Sequence, residues 1–238
     1  MDLLNQFIVV PIFNIRFLGF DISFTNSALL MLMTALSSSI ILSARNKVNL
    51  VPNFIQSINE IIYNFISNLT RQYLKDESDK YIPFFMALFI FIAMGNLFGL
   101  LPKSFTFTSH LISTFSLAMF VFALSVFAGF KKHGLKLFSL FAPRGVPKLM
   151  LPLVFLIEFS LFFVKPFVMA LRLCVNMIAG HIILKVVLHY STTLFLIKFI
   201  PIFGYSAMLL FECAVAIFQA YIFVLLSCIS LKDVLYLH

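Results

Sequence analysis

The stretch from Glu158 to His181 reads EFSLFFVKPFVMALRLCVNMIAGH, and it lies within a longer apolar segment, residues 149–190. No polar turn interrupts it between Glu158 and His181. A second apolar segment covers residues 194–230. A helix of about 40 residues is about 60 Å long at 1.5 Å per residue, twice the thickness of a bilayer's hydrocarbon core. Either each segment breaks into two spans, or the two form a hairpin of long helices tilted strongly within the membrane. The missing turn favours the tilted pair. A mismatch of that size is costly against lipid, so a large intramembrane partner should cover it.

The whole chain supports a membrane assignment. It has 238 residues, of which 62% are hydrophobic and 11% charged, and its mean hydropathy is +1.06. Soluble domains carry about 25% charged residues. The apolar runs are continuous rather than alternating, which favours helices over a barrel. The expected fold class is all-α polytopic membrane protein, one domain over residues 1–238, with about three spans, one surface amphipathic helix and the long hairpin.

Residues 1–26 are mixed and read as a surface segment. Spans are expected at 27–44, 82–101 and 110–130. Over 52–75 the residues Phe54, Ile58, Ile61, Phe65 and Leu69 recur at helical spacing, with Glu60 and Arg71 elsewhere on the wheel. That pattern predicts an amphipathic helix lying along the membrane surface. Gly95 and Gly99 have the Gly-x-x-x-Gly spacing that permits close helix approach. Asn96 between them should bond a neighbouring helix.

The net charge is +8. It is not a nucleic-acid signal. Lys131, Lys132, Lys136, Arg144 and Lys148 cluster in one loop without an acidic residue, as loops on the cytoplasmic or matrix side do. The loop near 102–110 then lies outside, Glu158 near the inner side, the 190–200 turn near the outer side, and the C-terminus inside. Cys174, Cys213 and Cys228 lie in apolar segments without metal or disulfide spacing.

Ionisable side chains within a bilayer are costly and mark ion or substrate paths by default. Glu158, Lys165 and Arg172 are seven residues apart, close to two helical turns, and so share a stripe. Asn176 shares the face of Arg172. His181, nine residues past Arg172, points to the opposite side. Glu158 and His181 are about 35 Å apart along the axis. Two offset half-paths, one from each side, explain that separation better than one pore. Tyr205, Glu212 and Gln219 are again seven apart in the second segment. Antiparallel packing would bring Glu212 towards His181, and a carboxylate and an imidazole can relay protons. Arg172 keeps its proton and cannot be a relay. It is a fixed charge whose counter-ion belongs to another subunit. The plainer alternatives are that Lys165 snorkels, that Glu158 pairs with Lys165, and that Lys185 and His189 are interfacial.

Lys165-Pro166, Leu171-Arg172-Leu173, Asn176 and Ala179-Gly180-His181 resemble the pattern of subunit a (ATP synthase subunit 6), the membrane stator of the F-type ATP synthase. Glu212 with Gln219-Ala220-Tyr221, and Asn96 with Gly99, Leu100 and Pro102, match further motifs of that family. His181 and Glu212 follow the mitochondrial and α-proteobacterial version. The resemblance covers about residues 20–232.

It implies two long tilted helices curving around a ring of c subunits. Glu212 and His181 would line the outer half-channel and Glu158 the inner one. Arg172 would separate the two, with Gln219 beside it and Lys165, Asn176, Tyr221 and Asn96 in support. The implied partners are the c-ring, the peripheral-stalk subunit b, the other synthase subunits, lipid and protons, with no cofactor. The chain itself would be a non-catalytic channel subunit. The location would be a mitochondrial or bacterial inner membrane; 32 Phe and no Trp suggest an AT-rich genome. A secondary transporter or a subunit of an ion-pumping redox complex is the alternative, but no internal repeat is evident.

Overall fold

The computed structural model describes residues 9–13, 16, 17, 20, 21, 23–43, 53–101, 106–141, 147, 150–193 and 199–236. Of residues 12–21, 135, 138, 139, 188–193 and 199–202 within these, only the backbone is described.

Six helices dominate the fold: α1 (Asn26–Ser43), α2 (Phe54–Leu74), α3 (Ser78–Gly99), α4 (Leu111–His133), α5 (Leu151–Thr193) and α6 (Phe199–Leu235). The all-α class fits, with one small β ribbon added. Four short strands precede α1: β1 (Pro11–Phe13), β2 (Arg16–Phe17), β3 (Phe20–Asp21) and β4 (Phe24–Thr25). β1 pairs antiparallel with β4, and β2 with β3, so one hairpin nests inside the other. Asn26 ties this ribbon to α1: its Oδ1 accepts from the backbone of Val10 at 3.3 Å and of Ser27 at 2.9 Å.

Among the described residues, five helical stretches are long and apolar enough to cross a membrane, rather than about three. The two helices expected as an intramembrane hairpin each carry a full span of apolar residues. Both are continuous, as the absence of a polar turn predicts. α5 has 43 residues and α6 has 37, about 65 and 55 Å by helical rise. α6 runs five residues beyond the expected end at 230, and this brings Asp233 into the helix.

α6 is the central packing element, touching α2, α3, α4 and α5; α2 packs on α3 as well, and α1 attaches mainly through α3. The main core joins Phe85, Phe89 and Ile92 of α3 to Met169 and Leu173 of α5 and Phe223 and Val224 of α6. A second cluster, Phe122, Leu137, Phe141, Phe162 and Val234, closes the basic end. There Lys132 of α4 pairs with Glu77 of the 3-10 turn Lys75–Glu77. The Tyr236 hydroxyl donates to the Leu74 carbonyl at 2.6 Å, which fastens the end of α6 to the end of α2.

α2 divides into three faces. Asn59, Ile66, Ser67, Thr70 and Leu74 are buried against the bundle. Phe54, Ile58, Ile61 and Phe65 are exposed, next to exposed Glu60, Asn64, Asn68 and Arg71. Part of the polar side therefore faces protein, where Asn59 Nδ2 donates to the Ile41 carbonyl at 2.7 Å.

Gly95 and Gly99 serve a different neighbour from the helix expected. A Cβ on Gly95 would lie 2.7 Å from the Phe107 ring, and one on Gly99 would lie 2.5 Å from Thr106 Cγ2. The segment after α3 folds back onto these two glycines.

Candidate functional site

Antiparallel packing of α5 on α6 places the polar side chains at three levels. The middle level holds Arg172. It is exposed on α5 and lines a narrow crevice with Gln219 of α6, walled by Met169, Leu173, Ile222 and Phe223. Among the described residues no carboxylate lies within 4 Å of it. Gln219 thus comes beside Arg172 from the facing helix, as the resemblance implies.

The second level lies towards the basic end, about 10 Å from Arg172 by helical rise. A cavity of about 270 Å³ is lined there by Glu158, Lys165 and Asp233 among apolar residues that include Phe141 and Phe162. Lys165 Nζ donates to Asp233 Oδ2 at 2.6 Å, with both side chains about one-third exposed (37% and 31%). The alternative that Glu158 is the partner of Lys165 gives way to this pair. Glu158 is exposed on the same cavity. Asp233 went unread because α6 was expected to stop at 230. The signal was the lone acid of Lys232-Asp233-Val234, one turn beyond that end.

The third level lies about 12 Å from Arg172 on the other side. Glu212 is 6% exposed. A Cβ on Gly180 would sit 3.1 Å from its Cδ and Oε1. Glycine lets the carboxyl group rest against the α5 backbone; a Cβ here would make it give by a few tenths of an ångström. Both carboxyl oxygens are buried without a hydrogen-bond partner among the described residues. A buried carboxyl in that state is costly and normally has a functional reason. Glu212, Asn176 and Gly180 share a cavity of about 170 Å³ with Leu100, Met208 and Phe211.

His181 is buried, and its Nε2 lies 2.8 Å from Thr106 Oγ1. It follows Gly180 in the chain, so His181 and the glycine that faces Glu212 are neighbours on α5. Thr106 also donates towards the Gly99 carbonyl at 3.4 Å. The turn Phe107–Ser109 adds buried Thr108 and Ser109. Ser109 supplies its carbonyl to Cys174 Sγ at 2.8 Å. These hydroxyls were missed from sequence. The run Thr106-Phe107-Thr108-Ser109 next to a span was the available signal.

Asn96 bonds a neighbouring helix, as expected: its Nδ2 donates to the Ala216 carbonyl at 3.2 Å, one turn past Glu212. Tyr221 is not brought to Arg172. Its ring packs at 5.4 Å from Phe65 of α2 and 5.9 Å from Phe218. Lys185 is half-buried on α5, and the His189 side chain lies outside the described residues.

The arrangement thus has a fixed cation at mid-helix, a titratable carboxyl and imidazole on one side, and a carboxylate-lined cavity on the other. Proton transfer along two offset segments is the chemistry such groups allow.

Residues 26–232 match the family described as ATP synthase A chain. The chain is 41% identical over 237 residues to ATP synthase subunit a of Orientia tsutsugamushi strain Ikeda, covering 99% of this chain and 98% of that one. It is 40% identical over 237 residues to ATP synthase subunit a of strain Boryong, with the same coverage.

Proposed function

The chain belongs to the ATP synthase A chain family, and from this premise we propose that it is the proton-translocating stator subunit of a rotary F-type ATP synthase. The observation that carries the proposal is the position of Arg172, an exposed cation without a described carboxylate partner, between two separate cavities, one lined by Glu158 and the other by Glu212.

Glu212 and His181 form the outer half-channel, reached past Asn176. A carboxyl group of the c-ring takes up a proton there, becomes neutral and moves away through lipid. After nearly a full turn it releases the proton towards Glu158. Facing Arg172, the ring carboxylate is held ionised by opposite-charge attraction. Because the guanidinium keeps its proton, no proton passes directly between the two cavities. Gln219 fills the crevice next to Arg172.

The ring packs on the outward side of α5 and α6, where Val168 and Val175 are exposed one turn either side of Arg172 and Phe211 and Phe218 are exposed on α6. Helices about twice the bilayer thickness must tilt, and the ring covers their apolar length. α2 lies along the membrane surface, which agrees with its exposed apolar and exposed polar faces standing side by side. The basic end, with Lys131 and Lys132, is the cytoplasmic side. The peripheral-stalk subunit b and the remaining synthase subunits complete the assembly. The bacterial origin of the relatives favours a bacterial inner membrane over a mitochondrial one.

The test is proton-driven ATP synthesis by the assembled complex in vesicles, with passive proton leak measured alongside. Arg172→Lys keeps a charge but loses the planar fork and can shed its proton. Synthesis should be lost with assembly intact, and leak should rise. Wild-type synthesis would make Arg172 structural and remove the mechanism.

A further inference from the structure

We propose that the groove between α3 and α4 at the basic end of the bundle binds one anionic phospholipid. The groove encloses about 290 Å³. Its walls are apolar, formed by Phe84 and Phe85 of α3 and by Val121, Leu124 and Phe127 of α4. Phe127 is 69% exposed, so the trough opens sideways from the bundle. Lys80 and Lys131 stand at its mouth with Tyr81. This inference goes beyond the proton path and requires only that α3 and α4 span the membrane.

The charge balance at the mouth selects the ligand class. Three acids lie nearby: Asp76, Glu77 and Asp79. Glu77 is paired with Lys132 and Asp79 with Arg71. Asp76 does not line the groove, but it lines a neighbouring cavity together with Lys80, Lys131 and Lys132. Lys80 and Lys131 make no ion pair among the described residues, and both are exposed. Lys80 and Lys131 set against Asp76 thus leave one excess cation at the mouth of an apolar trough, at the end of two membrane-capable helices. That is the complement of an acyl chain below a phosphodiester. Basic pockets between membrane helices on the inner side take anionic headgroups for this reason. A zwitterionic lipid would set its own cation against the two lysines. A helix from another subunit would need an acid at this height.

The assembled complex is placed in phosphatidylcholine vesicles with a trace of photoreactive phosphatidylglycerol or, separately, photoreactive phosphatidylcholine. Cross-linked positions are mapped by mass spectrometry. The phosphatidylglycerol probe should label Phe84, Leu124 and Phe127 in preference to the other probe. Lys80→Gln with Lys131→Gln should weaken that labelling about thirtyfold, since each surface lysine contributes about fivefold. Lys80→Arg with Lys131→Arg should retain it. Equal labelling by the two probes would make the groove ordinary lipid boundary and overturn the proposal. Labelling by neither probe would mean that protein covers the groove, with the same consequence. Because the wild-type comparison is decisive by itself, a glutamine variant that fails to assemble does not remove the test.

Discussion

Lys165 and Asp233, 68 residues apart in the chain, form an ion pair at 2.6 Å that joins the first third of α5 to the last turn of α6. The pair lies on the cavity that Glu158 also lines. With each side chain about one-third exposed (37% and 31%), its coupling should be about 1 kcal/mol, between exposed and buried pairs. A double-mutant cycle of Lys165→Gln and Asp233→Asn on the thermal stability of the assembled complex measures it. The double variant should be more stable than the summed losses imply. Strict additivity would show that the two charges act independently.

Gly180 and Glu212 give a prediction in which stability and activity part. Gly180→Ala introduces a methyl group 3.1 Å from the Glu212 carboxyl, so the carboxyl must shift. Overpacking of this kind costs on the order of 1 kcal/mol at the low end, and proton-driven synthesis should slow about fivefold if that strain enters the barrier. Replacing a mid-helix glycine also stabilises a helix by about 0.5–1 kcal/mol. That gain offsets most of the overpacking cost, so resistance of α5 to hydrogen exchange should change little while synthesis slows. Unchanged synthesis would mean that the carboxyl position is not limiting.

The Thr106 hydroxyl holds His181 Nε2 at 2.8 Å. Thr106→Val keeps the shape and removes that bond, at about 1–3 kcal/mol for a buried group that loses a partner. Synthesis should fall, and its dependence on outer-side pH should shift, because the environment of a titratable imidazole has changed. Thr106→Ser should restore both. A valine variant with the wild-type pH profile would confine Thr106 to packing.

Asn96→Leu removes the bond to the Ala216 carbonyl. Side-chain hydrogen bonds between membrane helices contribute about 0.6 kcal/mol on average and about 1.7 at most. The complex should lose stability within that range. Passive proton leak should stay at the wild-type level, since Asn96 does not line the Arg172 crevice. A raised leak would place Asn96 in the separation of the two cavities.

Much of the candidate site was legible in sequence because polar groups in an apolar segment are costly and few. Arg172, Gln219, Glu212 and His181 announced themselves in that way, and periodicity put Glu158, Lys165 and Arg172 on one stripe. Thr106 and Asp233 escaped for physical reasons. Threonine in a short connector carries no desolvation signal until tertiary packing buries it. Asp233 beside Lys232 looks like an ordinary solvated end, and only the extra turns of α6 carry it to Lys165. Tyr221 matched a motif, yet its ring was taken up by Phe65. The strands before α1 carry too few residues for a period of two to stand out.

The order of residues was enough for the membrane class, the continuity of the two long helices and the row of ionisable groups on α5. These follow from local quantities: hydropathy summed along a segment, the absence of a turn, and a spacing set by 3.6 residues per turn. Tertiary structure alone decided that Gly180 faces the Glu212 carboxyl, that Lys165 pairs with Asp233 and that α2 turns Asn59 and Thr70 inward. Those contacts depend on the rotation and register of one helix against another. Register is fixed by close packing of many side chains at once, which no single chain segment encodes.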